Sequence, residues 1–287
     1  MRRIVLIIAG FLSLANPAKP AESAAWVHAQ ELYQRTDYAA SLQEALAIDG
    51  KDAAVLLLIG KDYFGLADYK KANEFLEKAL TLEPNSPEIS LWLGRAYGRR
   101  AETSNPFSAP GLASKARQMF EKAVALDPSN REAVGDLFDY YLGAPGFLGG
   151  GASKAEALAA RVAQKDPAEG HYYQAQLDEH RQNYDSAEQH LRAALDLAPR
   201  QVGRFVDLAK YLAKRGKSSA SDALFDQAQR IAPENPRVLF ERAAAYVNGG
   251  RNRNEARKLL QRYLREKITP DDPPKSEAEA LLRKIGA

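Results

Sequence analysis

The chain has 287 residues, of which 45% are hydrophobic and 27% charged, an ordinary composition for a globular protein. It contains no cysteine, which excludes disulfide bonds, thiolate metal sites, a cysteine nucleophile and a lipid anchor on cysteine. The formal net charge is +3, but three of the 40 basic residues lie within residues 1–21, which leaves 37 basic against 37 acidic side chains. A neutral chain has no overall field with which to hold nucleic acid or an anionic membrane, so we expect neither as a partner.

Residues 1–23 have the pattern of a secretory signal peptide. The pair Arg2-Arg3 precedes an apolar run from Ile4 to Leu14, and small residues follow, with cleavage expected near Ala18 or within Ala21-Glu22-Ser23. The run is shorter than the roughly 20 apolar residues that a membrane span needs. We therefore expect export and no stable membrane span after cleavage. The alternative is a protein tethered by an uncleaved N-terminal segment.

A repeat then fills most of the chain. Each copy ends in a short apolar stretch followed by a proline, at Pro84, Pro128, Pro167, Pro199 and Pro233. These prolines lie 44, 39, 32 and 34 residues apart, so the unit has about 34 residues, with insertions in two copies. A period of this size predicts a stack of small helical units rather than one globular core.

The clearest unit runs from Ala53 to Pro84 and reads as two antiparallel helices. Apolar and small residues recur at helical spacing on each of them. Gly60 and Ala72 are small, which predicts that the two helix axes cross closely at that point. Pro84 cannot continue a helix and therefore ends the unit.

The pattern of this unit resembles the tetratricopeptide repeat family. Its positions are filled by Gly60, Tyr63, Ala72, Leu76, Ala79 and Pro84, and in the next unit by Gly94, Tyr97, Ala116, Phe120, Ala123 and Pro128. The resemblance covers about residues 24–265, or six to seven units. It implies an all-α, right-handed α-solenoid over residues 24–268, followed by a proline-rich break and a C-terminal capping helix within residues 269–287.

Two units carry insertions, at about residues 98–114 and 143–151. Both join the first helix of a unit to the second, so we expect them on the same side of the stack, where insertions often serve function. The Pro-Gly-x-x-Gly-Gly loop at 145–150 resembles that of exported bacterial tetratricopeptide repeat proteins, which implies a periplasmic location. A small-molecule ligand between the two loops, enclosed by Phe107 and Phe147, is the alternative function.

No catalytic or metal-binding pattern stands out. The segment Gly149 to Lys154 has the order Ser-Lys rather than Gly-Lys-Ser/Thr and follows no strand, so Ser153 is expected to cap a helix rather than to bind phosphate. The four histidines show no His-Glu-x-x-His arrangement. We therefore expect no enzyme activity, no metal and no cofactor.

The predicted binding surface is the concave face that the first helices of a tetratricopeptide stack line. Six side chains are expected on it: Lys61, Phe64, Arg95, Arg99, Tyr172 and Lys210. The three cations of the second and third units would form a basic cluster suited to an acidic peptide or a C-terminal carboxylate. The alternative is that these cations only keep an exposed helical face soluble. The groove lacks the asparagines of the family's chaperone-binding members.

These observations predict a non-enzymatic scaffold or adaptor, exported to the bacterial periplasm, that binds a protein or peptide. The rival prediction is a periplasmic subunit that binds a small molecule between the inserted loops.

Overall fold

The computed structural model describes residues 23–286, in which helices alternate with short connections and no β-strand is present. Fourteen of the fifteen helices in this range pair as seven antiparallel hairpins, and the last helix follows them. The hairpins are α1 (Ala24–Gln34) with α2 (Tyr38–Ala47), α3 (Ala53–Gly65) with α4 (Tyr69–Leu82), α5 (Pro87–Thr103) with α6 (Ala109–Leu126), α7 (Arg131–Gly143) with α8 (Ala152–Ala163), α9 (Pro167–His180) with α10 (Tyr184–Leu197), α11 (Val202–Lys214) with α12 (Ser218–Ile231), and α13 (Pro236–Asn248) with α14 (Arg253–Arg265); α15 is Lys275–Lys284. The all-α solenoid of helix-turn-helix repeats is confirmed.

The predicted signal segment lies outside the described residues, except for Ser23. The Ser23 hydroxyl accepts a hydrogen bond from the Trp26 amide and so caps α1. Within residues 23–286, we find no helix with the length and hydropathy that a membrane span requires.

Five of the seven hairpins close through a tight turn that contains a left-handed residue, and the last of these turns contains two. In the second hairpin this residue is Ala67, at φ 60°, and the amide of Asp68 donates to the carbonyl of Tyr63 across the turn. The same arrangement satisfies the last carbonyls of α1, α9, α11 and α13. These turns set the antiparallel pairing of the two helices.

The interior of each hairpin is filled where the two helices cross. A Cβ added to Gly60 would lie 2.5 Å from Cγ of Leu76, and one added to Gly94 would lie 2.7 Å from the Phe120 ring. Leu76 is fully buried. The close crossing predicted from the small residues of the second repeat is therefore confirmed, and the third repeat uses it as well.

The prediction of a long loop at residues 98–114 is wrong. Helix α5 continues to Thr103 and α6 begins at Ala109, so only residues 104–108 are non-helical. Pro110 lies in the first turn of α6. Backbone amides in the first turn have no partner within the helix, so a proline there costs no hydrogen bond. The additional residues lengthen both helices of the third repeat instead of forming a loop.

The second insertion is a true connection between helices, with a short 3₁₀ turn at Gly146–Leu148. Gly149 and Gly151 have φ values of 83° and 128°, which side chains disfavour. The expectation that Ser153 caps α8 is wrong, because the helix begins at Ala152 and Gly151 stands at its N-cap without a side-chain bond.

The C-terminal helix α15 packs on α13 and α14 and covers the last hairpin. Ala278 is fully buried there, and the hydroxyl of Tyr263 donates to the carbonyl of Pro273 in the preceding break. This placement agrees with a terminal cap, which every stack of repeats needs at its open end.

Candidate functional site: the concave groove

The concave surface of the second and third repeats carries an aromatic cluster of Phe64, Tyr69 and Trp92. The Phe64 ring meets Tyr69 and Trp92 edge-to-face, with centroid distances of 5.4 Å for both pairs. Lys61 and Arg95 lie over Trp92, at 5.2 Å and 4.9 Å from the ring centroid. Four of the six predicted groove residues, Lys61, Phe64, Arg95 and Arg99, are therefore gathered around the edge of one aromatic surface.

A cavity of about 800 Å³ lies in front of this cluster. Its walls come from α3, α5, α6 and α7, and its far side is closed by Arg237 of α13 together with Pro270 and Asp271 of the C-terminal break. Burial raises the pKa of Tyr33 in α1, and the negative charge of Asp271 raises it further. The solenoid thus curves until its C-terminal segment faces its N-terminal repeats across the groove.

The expected basic cluster is not free for an acidic partner. Lys61 pairs with Glu88, and its side chain is only 15% exposed. Arg95 pairs with Glu132 at 2.9 Å and with Asp136 at 2.5 Å. The prediction of a positively charged groove is therefore wrong in its electrostatics, because each of these two cations is neutralised by carboxylates of the following repeat.

Arg99 is more open than the other two cations of the cluster. Its guanidinium pairs with Glu102 at 2.6 Å and lies 5.5 Å from the centroid of the Tyr69 ring, and its side chain is 51% exposed. Across the cavity, partial burial and the charge of Asp136 raise the pKa of Asp139 to about 6. The groove therefore presents both signs of charge around an aromatic centre.

Tyr172 and Lys210 belong to a second cavity of about 620 Å³ along the same face, between α9, α11 and α13. Lys210 pairs with Glu241 at 2.6 Å. Tyr172 is half-buried and lies under Arg204, whose guanidinium is 5.1 Å from the ring centroid. Tyr172 and Lys210 therefore share one cavity, which is separate from the cavity beside Lys61, Phe64, Arg95 and Arg99.

Sequence reasoning missed Trp92 and the acidic partners of the groove cations. A signal for the acids exists, since Glu88 and Glu132 each stand in the first turn of the helix that begins the next repeat. A cation late in one first helix and an acid early in the next form a pair between adjacent repeats. This pattern becomes visible once the helix starts are known.

The predicted loop site for a small molecule does not form. The side chains of Phe107 and Phe147 are 98% and 83% exposed, so neither ring encloses a ligand. Arg117 of α6 instead packs against the backbone of Gly149.

The four histidines include one close pair. The Nδ1 atoms of His171 and His190 are 2.7 Å apart, and Nε2 of His190 lies 3.7 Å from a carboxylate oxygen of Asp178. Among the described residues, no group of three or more histidine, aspartate or glutamate side chains is arranged to hold a metal ion.

Comparison with known proteins agrees with this architecture. A sequence model of the tetratricopeptide repeat matches residues 57–131 and 206–273. No curated protein matches the sequence. A tetratricopeptide repeat protein from Parabacteroides merdae has a similar structure, with a TM-score of 0.58 and 14% identity over 92% of this chain and 98% of the other. A tetratricopeptide repeat protein from Thermus thermophilus has a TM-score of 0.52 and 20% identity over 66% of this chain and 97% of the other.

The two solved structures show which fold the chain has, and the sequence match shows which family the matched repeats belong to. Both matched segments consist of the helical hairpins described above, and the hairpins between them continue the same stack. The chain is accordingly a helical solenoid that contains repeats of the tetratricopeptide family.

Proposed function

We propose that this chain is a non-enzymatic scaffold whose concave groove binds an extended segment of another protein. The observation that carries the proposal is the aromatic cluster of Phe64, Tyr69 and Trp92, of which Phe64 and Trp92 line a cavity of about 800 Å³. Large aromatic side chains in a concave pocket are the residues that most often dominate the energy of a protein interface.

The same geometry indicates what the segment offers. Lys61 and Arg95 are already paired with carboxylates, so an acidic partner would only exchange one ion pair for another there. Apolar side chains of the partner would gain more by packing on Phe64 and Trp92. An acidic residue or terminal carboxylate of the segment would meet Arg99, which keeps half of its side chain exposed.

The proposal includes export to the bacterial periplasm. Its support is the charged, apolar and small-residue order of residues 1–23. Ser23 caps α1, so cleavage before Ser23 would leave the cap on the mature protein, whereas cleavage after it would remove the cap. Determination of the mature N-terminus from a cell fraction tests both the export and the cleavage position.

The binding surface is tested by photo-crosslinking in cells that express the full chain. A photoreactive amino acid replaces Arg99 or Gln176 in the groove, and Glu74 or Lys78 on the exposed side of α4 serves as the matched control. We expect the same protein to be captured from both groove positions and from neither control position.

A Trp92→Ala variant with the photoreactive residue at Gln176 supplies the second arm. Loss of the aromatic centre should reduce the yield of that adduct, because the anchor of the segment is gone while the crosslinking position is intact. Capture from Glu74 or Lys78 alone would move the binding surface to the second helices and overturn the proposal.

A further inference from the structure

A third cavity lies outside the groove, between α6, α7, α8 and α9. Its volume is about 630 Å³, and it shares no lining residue with the two groove cavities. Volumes of about 300–1,000 Å³ are typical of sites that enclose small molecules. Its lining residues come from the third, fourth and fifth repeats.

The cavity lies beside a loosely packed hairpin, whose two helices are joined by the long connection at residues 144–151. Helices α7 and α8 pack together less extensively than the two helices of any other hairpin. The connection is held in place: the Gly151 amide donates to the carbonyl of Tyr141 at 2.7 Å, and the Tyr140 hydroxyl donates to the carbonyl of Leu148 at 3.0 Å. The hairpin beside the cavity is therefore closed by an ordered loop.

The floor of the cavity is apolar. It is formed by side chains from all four helices that are otherwise buried in the stack: Val124, Val134, Leu137, Leu158 and Tyr173. These side chains are at most 6% exposed, so the gain comes mainly from the ligand's own apolar surface, which packing on this floor removes from water at roughly 25 cal/mol per Å².

The rim carries two cations that have no partner. Arg161 and Lys165 line the cavity at the C-terminal end of α8 and the turn after it, and within residues 23–286 neither side chain forms an ion pair or a hydrogen bond. The three acids of the rim already have partners, and Glu169 pairs with Arg204. Glu121 accepts from Arg117 at 2.8 Å and from the Tyr141 hydroxyl at 2.9 Å, and Asp166 pairs with Arg131.

We propose that this cavity binds a small amphipathic anion, an aliphatic monocarboxylate whose chain covers the apolar floor and whose carboxylate meets Arg161 and Lys165. An apolar body with one anionic end fits an apolar floor and a rim with two unpaired positive charges. The site is separate from the concave groove and does not depend on it.

Isothermal titration calorimetry on the purified mature chain tests the proposal with three probes. Decanoate has the apolar body and the charge, decanol has the body alone, and acetate has the charge alone. We expect decanoate to bind with one site per chain and both other probes to bind at least about tenfold more weakly, because a hydrogen bond to a charged group contributes about 1.5–3 kcal/mol.

Variants locate the site. Arg161→Gln with Lys165→Gln should weaken decanoate binding about tenfold or more, whereas the control pair Lys70→Gln with Lys78→Gln, which removes the same charge from α4, should leave it unchanged. Val162→Phe fills the cavity and should abolish binding. Circular dichroism of each variant confirms that it is folded.

Three results would overturn the proposal. They are the absence of decanoate binding to the wild type, equal affinities for decanoate and decanol, and equal affinities of the Arg161/Lys165 variant and its control. The first shows that the cavity takes no such ligand, the second that the rim recognises no anion, and the third that the ligand binds elsewhere.

Discussion

The second and fourth repeats are built on the same plan and differ in how the two helices are joined. In the second repeat the turn at residues 66–68 draws α3 and α4 together until the Leu76 side chain occupies the space over Gly60. In the fourth, eight residues join α7 to α8, and a cavity of about 630 Å³ remains beside the hairpin. A short turn thus accompanies a closed crossing in the second repeat, and a long connection accompanies an open cavity in the fourth.

The largest effect is expected where the third repeat joins the fourth. Arg95 of α5 pairs with Glu132 and Asp136 of α7, and Arg95→Glu would place three carboxylates together. We expect a loss of about 2–4 kcal/mol in the free energy of unfolding, since removal of one partner from a largely buried ion pair leaves the other without compensation. Urea denaturation measures the loss.

Arg99→Glu is the matched control for this substitution. Arg99 lies one turn further along α5, and its pair with Glu102 is exposed, so its reversal should change the free energy of unfolding by less than about 1 kcal/mol. Equal losses in the two variants would show that the contact between the third and fourth repeats does not depend on Arg95.

The next largest effect on the free energy of unfolding comes from the buried carboxylate of Asp62 in the second repeat, and it depends on pH. Asp62 is fully buried, and within residues 23–286 the only hydrogen bond to its carboxylate comes from the Ser41 hydroxyl. Burial raises its pKa from 3.8 to about 7. Between pH 4 and pH 7 the folded chain holds this proton and the unfolded chain does not. Stability should therefore fall as pH rises through this range, by up to about 1.4 kcal/mol per pH unit from this group.

Asp62→Asn removes that dependence, so the stability of the variant relative to wild type should increase by roughly 1–3 kcal/mol between pH 4 and pH 8. Thermal unfolding at several pH values measures the difference. Ser41→Ala keeps the carboxylate but removes a hydrogen bond that lowers its pKa, so it should extend the loss of stability to higher pH. Parallel curves for wild type and Asp62→Asn would contradict a protonated Asp62 in the folded chain.

The repeat pattern was sufficient to predict the hairpins and the close crossing at Gly60, because these depend on residue types at fixed positions. It did not predict that residues 98–103 and 109–114 would be helical, since the prolines and glycines there suggested a loop although Pro110 suits the first turn of a helix. The pairing of Lys61 with Glu88 was missed for a different reason. These two residues are 27 positions apart in the sequence, and only the stacking of one hairpin on the next brings them together.

The last prediction tests the comparison of the second and fourth repeats by adding side-chain volume to each. Gly60→Leu forces a side chain into the space that Leu76 occupies, where even a Cβ would lie 2.5 Å from its Cγ. Overpacking of this kind costs about 1–3 kcal/mol. Val162→Leu adds one methylene at the wall of the open cavity, so it should change the free energy of unfolding by less than about 0.5 kcal/mol.

Hydrogen exchange shows where each substitution acts. Gly60→Leu should accelerate exchange of the amides in α3 and α4, and Val162→Leu should leave α7 and α8 as protected as in the wild type. If Val162→Leu proves as costly as Gly60→Leu, the fourth repeat is as tightly packed as the second, because a closed interior cannot accept a methylene without displacing its neighbours. The comparison would then be wrong, and the connection at residues 144–151 would lengthen the repeat without opening it.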